Sequence, residues 1–181
     1  MSLIKKTFVP VFFALFTLYQ LNSFLKPFWP TSHDGLYHII RIREYYYELI
    51  HGQFPVRWTD RLDNAYGLPL FNYIYPGPYM LSSVFLAVGL NEVDAYKTVF
   101  LLSYFLGIYG YYFLFRKKNK ILAVISSLLY GLSLYLFLDI FVRGAIGEIV
   151  AMALIPWVIY GFDQKKKFLL SSEKITFPAG N

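Results

Sequence analysis

The sequence predicts an all-α membrane protein, and three observations carry the prediction. Hydrophobic residues make up 57% of the 181 and charged residues only 15%, with a mean hydropathy of +0.45, a balance too apolar for a soluble domain of this length. Aromatic residues reach 21%, with 17 Tyr and 18 Phe; such side chains gather where a bilayer meets water, because the ring can stay apolar while its tip stays wet. The Lys and Arg residues fall in short clusters beside apolar runs, so the formal net charge of +6 reads as membrane topology and not as a nucleic-acid footprint. No cysteine is present, which excludes disulfides, thiolate metal sites and a cysteine nucleophile.

About four spans are predicted, at 7–25, 98–115, 121–138 and 144–162, each near the roughly 20 helical residues that a hydrocarbon core requires. The first follows Lys5 and Lys6 and lacks a small-x-small cleavage pattern before Lys26 and Pro27, so it is expected to be an uncleaved anchor. A long loop, 26–97, comes next. Within it the apolar stretch 71–90 is long enough to cross but is broken by "YPGPY". Lys and Arg in short loops prefer the cytoplasm. The clusters are Lys5-Lys6, "RKKNK" at 116–120 and "KKK" at 165–167, and all three lie inside only if 71–90 stays on the outer side. Five crossings, the alternative, would force "RKKNK" outside. The expected organisation is one polytopic domain, 1–163, with the loop 26–97 extracytoplasmic and a polar cytoplasmic tail, 164–181, where the chain is expected to have been cut short.

The loop opens with "TSHDGLYHIIRIREYYYELIHGQFPVRW". Thr31, Ser32 and Asp34 are helix-capping types, Gly52 is a natural stop and Pro55 follows it. A helix between them places Leu36, Ile39, Ile40, Tyr47 and Ile50 on one side and Asp34, His38, Arg41, Glu44 and Glu48 on another, the pattern of a helix lying along a membrane. Asp34 is either an N-cap or a reactive carboxylate. His33 and His38 either make interfacial hydrogen bonds or join Asp34 on a metal, although no zinc-type spacing is present. Tyr45, Tyr46 and Tyr47 read as part of an aromatic belt. Arg57, Arg61 and Arg143 are cations on the outer side, where they invite an anionic partner, lipid headgroups included.

The Asp behind the first span, "HGQFPVRW" after a short helix, "GLPLFNYIYPGPYMLSSVF" and "FVRGAIGEIVAMALIPWVIYG" together resemble the C-type glycosyltransferases, polytopic membrane enzymes that use polyprenyl-phosphate-linked sugars. The closest resemblance is to the N-terminal part of a group of bacterial membrane proteins labelled 6-pyruvoyl-tetrahydropterin synthase-related, a label that carries no pterin chemistry. It covers roughly 8–162. The resemblance implies an integral protein of the bacterial plasma membrane with its active face extracytoplasmic. It implies Asp34 as general base toward an acceptor hydroxyl, an outer arginine among Arg57, Arg61 and Arg143 on the departing phosphate, and His33, His38 and Glu148 as further substrate-binding residues. Where relatives carry paired acidic residues this chain has His33-Asp34, which leaves a divalent metal cofactor open. The resemblance also implies many more spans than four. A membrane protein that binds polyprenyl phosphate without chemistry, or serves as an assembly partner, is the competing expectation.

Overall fold

The computed structural model describes residues 3–27 and 31–175, and side chains within 8–27 and 31–165. Among them the protein is helical, with α1 Leu3–Gln20, α2 Gly35–Ile50, α3 Gly77–Ala87, α4 Glu92–Phe115, α5 Lys120–Gly131, α6 Leu134–Phe137 and α7 Ile146–Ile175. Short 3₁₀ turns follow α1 and precede α3, a π-helical turn, Leu138–Arg143, continues α6, and a lone antiparallel bridge pairs Thr59 with Leu68. The sequence supplies the boundaries. Asn91 accepts from the Asp94 amide at 2.9 Å and caps α4, whose first turn carries Glu92 and Asp94 against the positive end of the helix dipole. Asn119 does the same for α5 through the amides of Ile121 and Leu122.

α4 is the hub, packed along α5 and α7 and touched by α1, α2 and α3. Two glycines let backbones approach it. A Cβ on Gly107 would stand 2.5 Å from the Tyr130 ring, and one on Gly110 would stand 2.6 Å from Pro156 Cγ. Small residues at helix contacts are how spans associate when lipid removes the hydrophobic drive between them. Trp157 fixes the same seam by donating to the Leu106 carbonyl at 3.1 Å.

Among the described residues two helices are long and apolar enough to cross a membrane, Glu92–Phe115 and Ile146–Lys165. A third crossing is available if Lys120–Gly131 and Leu134–Arg143 act as one, but they bend by 41°. The stretch expected as the span 121–138 is thus bent in the structure. Its helix stops at Gly131, whose carbonyl is satisfied from outside the helix by the Tyr104 hydroxyl at 2.6 Å. Within the expected first span, 7–25, the regular helix ends at Gln20 and the chain continues as the 3₁₀ turn Asn22–Leu25. In the stretch 71–90 the helix α3 has 11 residues, about 16 Å of rise, roughly half of a hydrocarbon core. α7 carries the expected tail onward as helix to Ile175; residues 176–181 of that tail lie outside the described residues, as do the side chains of Lys5, Lys6, Lys166 and Lys167.

The helix expected in the loop is α2, with the two faces the sequence sets apart. Their directions are the reverse of a soluble helix. His38, Glu44 and Glu48 are buried at 3%, 1% and 3% exposure, while Leu36 and Ile50 stand 65% and 60% exposed. The polar face is turned into the protein, where Glu44 and Glu48 gather the following loop. Arg61 reaches Glu44 through two N–H bonds of 3.1 Å, and the Asp60 amide donates to Glu48 at 2.9 Å.

Candidate functional site

The site forms where the N-terminus of α2 meets the turn ahead of α7. The amides of His33 and Asp34 donate to the carbonyls of Val142 and Arg143 at 3.0 and 2.8 Å. Gly144 makes this contact possible. Its φ of +70° is left-handed, and a Cβ there would press into Ser32 Oγ and stand 2.8 Å from the Tyr96 hydroxyl. Tyr96 instead donates to the Gly144 carbonyl at 2.7 Å.

Asp34 occupies the N-cap position of α2 but makes no side-chain cap bond. Its φ and ψ of −108° and −6° are helical, unlike the extended cap geometry that aims a carboxylate at the free amides. Half-buried, the carboxylate acts electrostatically on His38, Tyr75 and Tyr96. His38 lies one turn along α2, its Nδ1 2.9 Å from the Tyr79 hydroxyl and its ring stacked on Tyr96 with centroids 6.4 Å apart. Burial, and secondarily the Arg41 charge, bring the His38 pKa down to about 4 against the opposing pull of Asp34, so the imidazole is neutral at ordinary pH. Arg41 follows on the same face and hydrogen bonds to the Tyr79 hydroxyl. No carboxylate pairs with Arg41 among the described residues. Tyr75 stacks parallel to Tyr79 with centroids 6.0 Å apart and hydrogen bonds to the Gly147 backbone at the start of α7. Gly147 accommodates it, since a Cβ there would fall inside the Tyr75 ring. Burial raises the pKa of both phenols, which keeps them protonated as donors.

Asp34 and His38 therefore come together, and Glu148 acts on Tyr75 from the other side. His33 does not join them. It is exposed and lines an open groove of about 480 Å³ with Ser32, Leu36 and Tyr37. The three outer arginines separate as well. Arg61, besides gripping Glu44, lies 3.6 Å over the Tyr47 ring. Arg143 holds Glu148 through both terminal nitrogens and Asp139 at 2.7 Å, and Tyr135 donates to Glu148 at 2.8 Å. Two of the three guanidiniums thus already meet carboxylates of the protein, while the Arg57 side chain is exposed without a described partner. Among the described residues no group of three or more His, Cys, Asp or Glu is arranged to hold a metal ion.

Arg41, Tyr75, Tyr79 and Tyr96 were not singled out as site residues by the sequence. A signal for Arg41 existed, because it falls on the face of Asp34 and His38. The tyrosines had none, being three among 17. Neither a family model, nor a curated protein, nor a solved structure matches the chain.

Proposed function

We propose that the chain is the glycosyltransferase-like part of a membrane protein that moves a sugar from a polyprenyl-phosphate donor to an extracytoplasmic acceptor, in the plasma membrane of a bacterium. One observation supports this most: Asp34 starts α2 without a cap bond, and on the same face two turns on stands Arg41, which no carboxylate among the described residues pairs. Asp34 takes the proton from the acceptor hydroxyl as its oxygen attacks the anomeric carbon. The bond from that carbon to the phosphate oxygen breaks, and the phosphate leaves with the bonding pair. Arg41, with the half-exposed Tyr75 hydroxyl as a neutral donor, is the cation we assign to that charge, because a guanidinium matches phosphate oxygens and a positioned donor gains strength away from water. Arg57 is the remaining uncommitted cation. Arg61 and Arg143 serve by holding the loop and the turn.

The topology of this reading has four crossings, α1 with the turn after it, α4, α5 continued to Leu138, and α7. All three basic clusters then face the cytoplasm, and α2 and α3 lie along the outer interface, which is where the exposed Leu36 and Ile50 of α2 would meet lipid. A non-catalytic polyprenyl-phosphate binder or assembly partner is favoured by the internal neutralisation of Arg61 and Arg143. Incubating the reconstituted protein with a labelled polyprenyl-phosphate sugar separates the two. Release of polyprenyl phosphate that Asp34→Asn abolishes supports the enzyme; retention of intact donor, equally by both forms, supports the binder.

A further inference from the structure

Asp139 sits in the π-helical turn ahead of α7 with 0% exposure, yet it has no role in the site just described. Its Oδ1 accepts from Arg143 Nη1 at 2.7 Å, and its Oδ2 is buried with no hydrogen-bond partner. The same Nη1 reaches Glu148 Oε2 at 2.7 Å, and the two carboxyl groups are close enough to hydrogen bond to each other. One guanidinium therefore faces two carboxylates. A buried carboxylate oxygen without a donor is costly, and so is the net negative charge left over. Tyr135 cannot relieve it, because its proton already goes to Glu148.

We propose that Asp139 and Glu148 hold a single proton between them, carried on Asp139 Oδ2, so that the turn is a proton-binding site. The proton satisfies the orphaned oxygen, permits the carboxyl–carboxylate contact and leaves Arg143 balanced by one negative charge. The titratable and charged groups acting on Asp139 are Arg143 and Tyr135 from its own segment and Glu148 from α7. α2 packs on the same turn and brings His33 and Asp34 through backbone bonds to Val142 and Arg143. Loss of the proton sets two carboxylates against each other beneath those carbonyls and loosens the seat of α2. Arg143 and Glu148 are 40% and 39% exposed, which opens the pair to solution protons. This inference stands whether or not the protein transfers sugar.

The test uses the full chain in lipid nanodiscs. The infrared spectrum at neutral pH should contain a protonated-carboxyl stretch that disappears in Asp139→Asn. The native state binds a proton that the unfolded chain has lost, so relative to Asp139→Asn the wild type should lose stability as pH rises above the ordinary Asp value of about 4 and on through neutrality. Amide exchange at His33 and Asp34 should quicken over the same range in wild type relative to that variant. Absence of the carboxyl band at neutral pH overturns the proposal. So does an unchanged pH slope in Asp139→Asn, or its failure to fold, because Asn is the nearest neutral substitute for a protonated carboxyl.

Discussion

If Arg61 holds the loop and not a substrate phosphate, its replacement should cost stability in a way that depends on Glu44. The Glu44 side chain is 1% exposed and that of Arg61 is 41%, so removing Arg61 strands a buried carboxylate while removing an arginine that water half reaches. Glu44 accepts three N–H bonds, two of 3.1 Å from Arg61 and one of 3.2 Å from Arg43. Losing a hydrogen bond to a charged group costs about 1.5–3 kcal/mol, and the stack on Tyr47 adds about 0.5–1 kcal/mol. Arg43 stays to compensate and solvent screens the outer half of the pair, so we expect about 2–3 kcal/mol for Arg61→Ala, toward the lower end of the summed terms. Arg61→Lys keeps the charge but loses the fork and the stacked plane, and should cost about 1–2 kcal/mol. With Glu44→Gln already present, Arg61→Ala should cost at least about 1 kcal/mol less than it does alone. Equilibrium unfolding of wild type and the four variants in mixed micelles, beside binding of polyprenyl phosphate, measures both roles. Additive losses within about 0.5 kcal/mol, or Arg61→Lys that weakens binding at unchanged stability, would refute the reasoning.

Three further outcomes follow from the same geometry. Asp34 makes no cap bond, so Asp34→Asn should unfold at the same denaturant concentration as wild type while turnover on a polyprenyl-phosphate sugar falls by about 10²–10⁴-fold; full turnover in the variant removes Asp34 from the mechanism. Single cysteines at Asn64 and Asn91 should both react with an impermeant thiol reagent added outside, and labelling of only one would mean that α3 crosses. His38 has its pKa near 4 in the folded chain, against an ordinary histidine value of 6.5, so the unfolded chain binds the extra proton between those values. Relative to His38→Gln, wild-type stability should then fall as pH drops from about 6.5 to about 4, by up to about 3 kcal/mol. A His38→Gln variant should lack that slope, and an equal slope in both proteins would place the titration elsewhere.

The parts of this structure legible in the sequence are those written in local chemistry. Asn91 and Asn119 start helices as capping residues do, "YPGPY" breaks 71–90 as prolines do, and Gly52 with Pro55 ends α2 close to where such residues end helices. The two faces of α2 were legible from their period, since spacing alone separates Leu36 and Ile50 from Glu44 and Glu48. What spacing cannot give is partners. The arginine that neutralises Glu44 lies 17 residues on, the hydroxyl on His38 Nδ1 lies 41 residues on, and only a folded chain pairs them. The break after Gly131 was hidden because hydropathy runs unbroken through Leu132 and Leu134. Asp34 shows the opposite limit. Its position at the start of α2 was readable, while the helical backbone that frees its carboxylate from capping was not.

Gly144 also imposes an order in time. The groups that clasp Glu44 and Glu48 emerge from the ribosome within about 1–3 seconds of them at ordinary synthesis rates of roughly 5–20 residues per second. The N-terminus of α2 waits far longer, because its carbonyl acceptors belong to Val142 and Arg143, and at those rates about 5–20 seconds pass before they appear. During that interval α2 is tied at its far end and loose at the end bearing Asp34. A nascent chain arrested ahead of Val142 should therefore protect Glu48 and its loop from hydrogen exchange yet leave His33 and Asp34 open, so the Asp34 end of the helix is set in place after its far end.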